Sequence, residues 1–444
     1  MPSPSLPASP GATQAASRMN PMVVIVALSL LLGLQPVATD LYLPALPQMQ
    51  RELGVSQADA QWTLSGVVLA FGMAQLVWGP VSDRVGRRPV LLWGLSLFVL
   101  ASLCTVWAST LPVMMLGRVG QGLGLAAAVV CARAMVRDLF EPTQGARVLS
   151  KGLSGLGVIA LVGPLLGGFA AAWFGWRATL ALVGVFALAG LVFIAVRMRE
   201  TLPTHRQQAA MSLQARLQQW RLITRQPMFR AYTALTSSTY GGLYVFLAAS
   251  SFVFIDVLHL SRPLFGALMA SMSLGYLSGT MVCRRLLPRL GLAGSVRVAA
   301  LLSSCAGAWC IGLSVLSLSL GFTPPALAIM PGLWMYAVAH GVHQPCSQAG
   351  VVAAFPQQAG AASALSGFIM SVLAFGISGL LSAWMKMPEW AGTIHPLTLG
   401  AGTGALVTAW VGLGRVQRDG HPPASAPVSA GVGTGAGASL ELDA

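Results

Sequence analysis

The sequence predicts an all-α, polytopic membrane protein with twelve transmembrane helices. Hydrophobic residues make up 55% of the 444 residues and charged residues only 9%, whereas a soluble globular domain carries about 25% charged residues. Twelve apolar runs are each long enough to cross a bilayer, which takes about 20 residues of helix. Polar segments that contain arginine separate many of these runs, which is typical of the cytoplasmic loops of a membrane protein.

The twelve runs fall into two sets of six, on either side of a polar segment. Their approximate bounds are 20–46, 58–81, 89–109, 111–135, 147–172 and 176–197, then 229–255, 263–287, 294–317, 325–354, 359–385 and 394–415. We expect an N-terminal six-helix bundle over 20–197, a cytoplasmic linker over 198–228 and a C-terminal bundle over 229–415. Apolar positions in the linker, such as Leu213 and Leu217, follow an amphipathic pattern typical of a helix at a membrane surface.

The basic residues predict the orientation of the chain. With the N-terminus inside, about twenty of the 26 Lys and Arg lie on the cytoplasmic side and about four outside. This topological role accounts for the net charge of +14, and we expect no nucleic-acid partner. The tails, 1–19 and 416–444, are rich in Pro, Ser, Ala and Gly, and both are expected to be disordered and cytoplasmic.

A charged segment at 79–88 (GPVSDRVGRR) lies between the second and third runs. Its charged residues are Asp83, Arg84, Arg87 and Arg88. We expect a short loop there, in which Gly79 and Gly86 allow close backbone approach and a tight turn. A similar pattern without the acid recurs at 279–291, in the same place of the second half. Two related six-helix halves are typical of transporters that alternate access to a midplane site.

Two ionisable residues lie within apolar runs, where a charge costs about 2.5–3.5 kcal/mol on insertion scales. Asp40 is in the first run and Arg118 in the fourth, both roughly 9–11 Å below the outer surface at 1.5 Å per residue. At equal depth they could face one another. Because a carboxyl group can gain and lose a proton, Asp40 is a candidate proton carrier. The alternative is a static salt bridge with Arg118 that holds two helices together.

Several motifs resemble those of the major facilitator superfamily. The 79–88 segment matches the loop signature of that superfamily, and further matches narrow the resemblance. They are TDLYLPALP at 39–47, RVGQGLG at 118–124, ARAMVRD at 132–138, GPLLGG at 163–168 and GAASA at 360–364. Together they resemble the bicyclomycin and chloramphenicol resistance (Bcr/CflA) group of drug:proton antiporters, over about residues 20–415.

The resemblance implies a major facilitator fold of two pseudo-symmetric bundles in a bacterial inner membrane, acting as a proton-coupled multidrug efflux antiporter. In that family an acid of the first helix and the arginine of the fourth serve proton and substrate coupling, which here are Asp40 and Arg118. Some members have a second acid earlier in the first helix. The stretch Leu28–Leu34 has none, so the proton stoichiometry stays open.

A gate is expected at the 79–88 segment. Asp83 is placed to accept hydrogen bonds from the N-terminus of the eleventh helix near Gly360, and the nearby arginines to pair with Asp138 or Glu141. The alternative is that the arginines only follow the positive-inside bias. A second set of gating candidates allows close packing or bending between the bundles. This set is Gly163, Pro164, Gly167 and Gly168.

Candidate substrate contacts are polar or aromatic residues at cavity depth, for each of which helix packing is an equal alternative. They are Tyr42, Gln61, Gln121, Tyr240, Tyr244 and Gln344. We find no nucleophile–base pair, metal-ligand set or phosphate loop, and so expect no enzyme activity, metal or cofactor. The expected partners are a small-molecule substrate, protons and the lipid bilayer, with the protein as a monomer. Transport of a specific metabolite, such as a sugar or amino acid, is the alternative function.

Overall fold

Twelve long helices account for most of the chain in a computed structural model that describes residues 19–202, 212–355 and 358–421. Most of both predicted tails lies outside these residues. The first six helices are α1 (Pro21–Glu52, interrupted at 40–45), α2 (Gln57–Val85), α3 (Arg87–Val106), α4 (Leu111–Leu139), α5 (Pro142–Trp173) and α6 (Trp176–Arg197). A linker helix, Leu213–Arg225, follows. The last six are α7 (Pro227–Ser251, continued as a π-helix to Val257), α8 (262–290), α9 (292–320), α10 (Ala326–Ala353), α11 (Ala359–Met385) and α12 (His395–Leu413).

Hydropathy supports the membrane assignment. Over the described residues, ten helical segments are long and apolar enough to cross a bilayer. One of the ten, Arg262–Leu320, contains both α8 and α9, because the helix is interrupted only at Gly291, where φ is 65°. The remaining helix, α10, contains two prolines and the buried pair His340 and His343, which make it less apolar. The predicted all-α fold with twelve membrane helices is confirmed.

The helices form two six-helix bundles, α1–α6 and α7–α12, which meet along α2 against α11 and along α5 against α8. Small residues allow the close approach. A Cβ at Gly72 of α2 would overlap the Ser371 side chain of α11. A Cβ at Gly266 of α8 would lie 2.5 Å from the carbonyl oxygen of Pro164 in α5.

The first helix is broken where the sequence predicts a continuous run. Regular α-helix ends at Thr39, a 3₁₀ turn covers Leu43–Ala45, and α-helix resumes at Leu46. Pro44 and Pro47 explain the break, because neither has the N–H that a continuing helix would donate to the fourth residue before it. The break leaves backbone carbonyl groups free within the membrane, close to Asp40.

The 79–88 segment is almost entirely helical, which corrects the prediction of a loop. Helix α2 continues through Val85 and α3 begins at Arg87, so only Gly86 separates them. Gly86 has φ 110°, and a Cβ there would overlap the Glu200 carboxylate. Gly79 has open space where a Cβ would stand. The predicted role in a tight turn therefore applies to Gly86 and is wrong for Gly79.

Glu200, just beyond α6, caps the N-terminus of α3. Its carboxylate accepts hydrogen bonds from the backbone N–H groups of Arg87 at 2.8 Å and Arg88 at 3.1 Å. It also accepts from the N–H groups of Thr201 and Leu202, both at 2.9 Å. An anion at a helix N-terminus satisfies free N–H groups and the helix dipole together. The end of α6 is thereby fixed to the α2–α3 junction.

The C-terminal tail begins later than predicted. Residues Arg415–Asp419 form a short helix whose Val416 is fully buried. The Tyr232 hydroxyl of α7 donates to the carbonyl oxygen of Gly420 at 3.1 Å. The assignment of disorder to the start of 416–444 is therefore wrong, because an apolar side chain and a buried hydroxyl hold this end of the chain against the C-terminal bundle.

Replacing Glu200 by alanine is expected to destabilise the N-terminal bundle by about 1 kcal/mol, because the cap of α3 is lost. Thermal unfolding of the purified protein in detergent should show a midpoint lower by a few degrees. Glu389→Ala is the matched control, since Glu389 is exposed and has no hydrogen bond within the described residues. Equal midpoints for the two variants would contradict the capping role.

Candidate functional site

Asp40 lies in the break of α1. Its backbone N–H donates to the carbonyl oxygen of Pro36 at 2.7 Å, and the Thr39 hydroxyl donates to its carboxylate at 2.7 Å. The residue is half-buried. None of the arginines or lysines in the described residues forms an ion pair with it. Within the described part of the chain, Asp40 is thus a membrane carboxyl group with one neutral side-chain partner and no ion pair.

Arg118 of α4 is fully buried and is surrounded by dipoles rather than by anions. Its Nε donates to the carbonyl oxygen of Thr63 at 3.0 Å. Its Nη1 donates to the carbonyl oxygen of Ala38 at 3.0 Å and to Oε1 of Gln121 at 2.9 Å. The guanidinium carbon stands 4.5 Å from the centre of the Tyr42 ring, within the range of a cation–π interaction. Its Nη2 has no partner among the described residues.

Asp40 and Arg118 are level, as their positions in the sequence predict, but they do not pair. The arginine instead donates a hydrogen bond to the carbonyl oxygen of Ala38, which has no helical partner because of the break in α1. A static salt bridge between the two is therefore wrong for this structure. Without that bond, the Asp40 carboxyl group can exchange a proton without first releasing a bound guanidinium.

Tyr42 and Gln121, two of the six predicted substrate contacts, support Arg118 instead. The Tyr42 hydroxyl is 3.2 Å from Oγ1 of Thr63, and the ring lies under the guanidinium. The Gln121 amide nitrogen donates to Oγ of Ser102 at 2.9 Å while its oxygen accepts from Arg118. Both side chains are fully buried and hydrogen-bonded, so they hold the arginine in place.

Gln61 joins the two bundles. Its amide nitrogen donates to the carbonyl oxygen of Ala248 in α7 at 3.2 Å, and its Oε1 accepts from Oγ of Ser382 in α11 at 2.6 Å. One helical turn further along α2, the Ser65 hydroxyl accepts from Ser378 of α11 at 3.3 Å. Gln61 therefore contributes to the contact between the two bundles in this structure.

Tyr240 and Tyr244 of α7 face the same central region from the C-terminal bundle. Their rings lie 6.3 Å apart, and both belong to the buried cluster that contains Tyr42, the residue under the Arg118 guanidinium. The Tyr244 hydroxyl is buried and has no hydrogen-bond partner among the described residues. Gln344 is elsewhere, since it accepts a hydrogen bond from Tyr276 between α8 and α10. The structure thus brings Tyr240 and Tyr244 to the buried cluster beside Arg118, whereas Gln344 contacts Tyr276.

The charged groups of 79–88 form a cluster within the N-terminal bundle. Arg87 is buried and pairs with Asp83 at 2.6 Å and with Asp138 of α4 at 2.9 Å. Arg88 donates to the carbonyl oxygens of Ala195 and Met198, each at 2.8 Å. The predicted pairing with Asp138 is present, and Glu141 takes no part in an ion pair within the described residues.

The predicted contact between Asp83 and the N-terminus of α11 is absent from the described residues, which begin again at 358 before that helix. Asp83 pairs with Arg87 one turn away, because a buried guanidinium needs both neighbouring carboxylates. Cations of α4 meet α11 instead. Arg133 donates to Oγ of Ser363 at 3.3 Å, and the Arg137 guanidinium lies 3.6 Å from the place that a Cβ on Gly360 would take. Both arginines lie in the 132–138 motif, but nothing in that motif indicates a contact with α11.

The glycines and proline of α5 differ in their surroundings. A Cβ at Gly167 would overlap the carbonyl oxygen of Leu41 in the broken part of α1. A Cβ at Gly168 would lie 2.6 Å from the carbonyl oxygen of Arg262, at the start of α8 in the other bundle. Gly163 has open space around it. Gly168 and Pro164 therefore lie at the bundle interface, and Gly167 lies against α1.

Sequence reasoning missed a layer of contacts at the end of the molecule opposite the 79–88 segment. Arg51 at the end of α1 pairs with Asp256 at the end of α7 at 2.9 Å. Arg262 at the start of α8 donates to the carbonyl oxygen of Ala171 at the end of α5 at 2.7 Å. With the Gln61 hydrogen bonds, these contacts join the bundles at this end, which we call the far end. The sequence feature that could have indicated these contacts is Asp256, an isolated acid at the end of an apolar run.

Comparison with known proteins identifies the family. Residues 28–379 match the profile of the Major Facilitator Superfamily. The chain is 29% identical over 370 residues to a bicyclomycin resistance protein homolog of Haemophilus influenzae, covering 82% of this chain and 90% of that protein. It is 28% identical over 374 residues to a chloramphenicol resistance protein of Pseudomonas aeruginosa, covering 82% and 85%. It is 34% identical over 245 residues to multidrug resistance protein D of Escherichia coli, covering 55% and 61%.

Solved structures show the same fold. A D-xylose–proton symporter superposes with a TM-score of 0.66 over 88% of this chain and 97% of that one, at 15% identity. A peptide transporter in complex with sulfate superposes with a TM-score of 0.70 over 93% and 99%, at 16% identity. The chain belongs to the major facilitator superfamily and is similar there to the bicyclomycin and chloramphenicol resistance proteins.

Proposed function

We propose that this protein is a proton-coupled antiporter that exports small amphiphilic compounds, including antibiotics, by alternating access. The observation that carries the proposal is the Asp40 carboxyl group, half-buried in the break of α1 and without an ion-pair partner among the described residues. Beside it, the buried charge of Arg118 is balanced only by dipoles. The resistance proteins to which the chain is similar support drug efflux as the transport activity.

Protonation of Asp40 supplies a physical link between proton uptake and helix movement. When Asp40 loses its proton, its negative charge is attracted to Arg118, because Coulomb energies are large in a medium of low dielectric constant. Arg118 holds the carbonyl oxygen of Ala38, two residues before Asp40. Movement of Asp40 towards the guanidinium therefore changes the backbone of α1 at its break. When Asp40 is protonated and neutral, this attraction is absent and the backbone of α1 keeps the conformation seen in the structure.

The proton supplies enough energy for export. Moving one charge through 100 mV releases about 2.3 kcal/mol, which corresponds to roughly fiftyfold accumulation of a neutral substrate. We assign substrate contact to Tyr240 and Tyr244, which share a buried cluster with Tyr42 beside Arg118. A broad aromatic surface suits amphiphilic compounds of varied shape.

In this mechanism the segments 20–197 and 229–415 move as two bodies joined by the linker 198–228, and the far end opens to release substrate. The arginine distribution supports a bacterial inner-membrane protein with both termini in the cytoplasm, so that the far end faces outward. The protein acts as a monomer in this mechanism, because one chain contains both of the bundles that move against each other.

Asp40→Asn should abolish proton-driven export, because the amide cannot carry a proton, while membrane insertion stays intact. The measurement is ethidium transport by purified protein in liposomes on an imposed pH gradient. Asp419→Asn is the control and should transport as the unmodified protein does, because Asp419 is partly exposed and pairs with the neighbouring Arg418. The assignment fails if Asp40→Asn still accumulates ethidium on the gradient.

Tyr244→Phe should weaken ethidium binding by about two- to tenfold, the range of one hydrogen bond, with little change in thermal stability. Stability is preserved because the hydroxyl that is removed has no partner in the described residues. Tyr336→Phe is the matched control. Its hydroxyl donates to the carbonyl oxygen of Thr239 at 2.8 Å, so stability should fall while ethidium affinity is kept. Unchanged affinity of Tyr244→Phe across a panel of amphiphilic compounds would exclude the substrate contact.

Arg51→Ala should shift the protein towards opening at the far end, because it removes the ion pair between bundles. Partly exposed pairs contribute about 0.2–1 kcal/mol, so labelling of a cysteine placed at Ser65 by an impermeant maleimide should rise by up to about fivefold. The experiment uses a variant without the six native cysteines. Arg177→Ala is the control, since Arg177 pairs at 3.3 Å with Glu52 inside the N-terminal bundle. Equal labelling of both variants would count against a gate at Arg51.

A further inference from the structure

An apolar groove of about 460 Å³ opens on the side of the molecule near the 79–88 segment. Three elements form it. Helix α2 contributes Leu76, Val77 and Pro80, α11 contributes Phe368, and the linker helix contributes Trp220. Val77 is 59% exposed, which in a membrane places it against lipid. The groove therefore lies where the two bundles and the linker meet.

Two arginines stand at the groove, Arg84 from α2 and Arg216 from the linker helix. Neither has an ion-pair or hydrogen-bond partner in the part of the chain that the structure describes. The local acids are engaged elsewhere: Asp83 and Asp138 hold Arg87, and Glu200 caps α3. With 26 basic and 12 acidic residues in the sequence, the chain has too few acids to neutralise this end. The groove thus presents two positive charges without a matching anion.

The linker helix has the character of a helix at a membrane interface. Leu217 and Leu222 are 52% and 64% exposed, while Arg216, Arg221 and Arg225 lie on the same 13-residue helix. A basic amphipathic helix of this kind binds in the headgroup region of anionic bilayers. Trp220, half-buried at the groove, is an aromatic residue typical of that depth.

We propose that the groove binds one anionic glycerophospholipid from the bilayer leaflet at this end. An acyl chain lies along Leu76, Val77 and Phe368, and the phosphate lies between Arg84 and Arg216. Charge complementarity favours an anionic lipid over a zwitterionic one, because the quaternary amine of a choline headgroup is repelled by two unpaired guanidinium groups. The apolar wall favours a lipid over a free anion.

The position of the groove links lipid binding to transport. Its walls belong to α2 of one bundle, α11 of the other and the linker between them. A relative movement of the bundles changes the spacing of these walls, so the lipid binds the two access states with different affinity. A ligand with such a difference shifts the equilibrium between the states. Anionic lipid content is therefore a regulator of this transporter that acts outside the substrate site.

The test is native mass spectrometry of the full-length protein in detergent, titrated with phosphatidylglycerol and with phosphatidylcholine of the same acyl chains. We expect the first to bind more tightly. The double variant Arg84→Ala, Arg216→Ala should bind phosphatidylglycerol about thirtyfold more weakly, at about fivefold for each arginine. Arg221→Ala, Arg225→Ala is the matched control, because it removes the same charge from exposed positions of the same helix and should stay near the wild-type affinity.

A second variant tests the apolar wall without a change of charge. Val77→Trp fills the groove from an exposed position and should also remove the bound lipid, even if the arginine variant does not fold. Equal affinity for the two lipids, or equal losses in the two arginine variants, would overturn the proposal. Displacement of the phosphatidylglycerol by ethidium would do so as well, since the groove would then be a drug site. The readout is binding, so it does not depend on the transport activity proposed above.

Discussion

A buried arginine without an anion organises the centre of this protein. The guanidinium of Arg118 costs a large desolvation energy inside a membrane, and the surrounding structure offsets it with dipoles. Two carbonyl oxygens, the Gln121 amide and the face of Tyr42 supply these dipoles. One of the carbonyls, that of Ala38, is free because regular α-helix ends at the next residue, Thr39. The break in α1 and the position of Arg118 therefore depend on each other, and Asp40 lies at the point where they meet.

Much of the fold was predictable because bilayer thickness makes helix number and length readable from hydropathy. The contacts of the charged residues were not. Sequence position gives the depth of Asp40 and Arg118 in the membrane, but it does not give the direction in which each side chain leaves its helix. The break in α1, whose prolines were visible, released a carbonyl that competes with Asp40 for the arginine. Glu200 was missed because its targets, Arg87 and Arg88, are more than a hundred residues earlier in the chain.

The two ends of the bundle interface are held by different forces. At the far end, an ion pair and the short hydrogen bonds of Gln61 and Arg262 connect the bundles. At the other end, the direct contacts are longer, such as Arg133 to Ser363 at 3.3 Å and Arg284 to Ser150 at 3.4 Å. Arg137 also stands near the positive end of the α11 dipole, which is an unfavourable placement for a cation. The balance of forces in this structure favours closure at the far end.

The two halves also differ at the junctions that the repeat relates. In the N-terminal bundle, Asp83, Asp138 and Glu200 fix the α2–α3 junction to α4 and α6. The matching junction between α8 and α9 has Gly291 and arginines but no carboxylate. The first junction is held by three carboxylates, whereas the second is held by a neutral hydrogen bond, from the Gln417 amide to the carbonyl oxygen of Ala293 at 2.9 Å. In the proposed alternating movement, the carboxylates oppose a change in the angle between α2 and α3, and a change in the angle between α8 and α9 requires only rotation at Gly291, where φ is 65°.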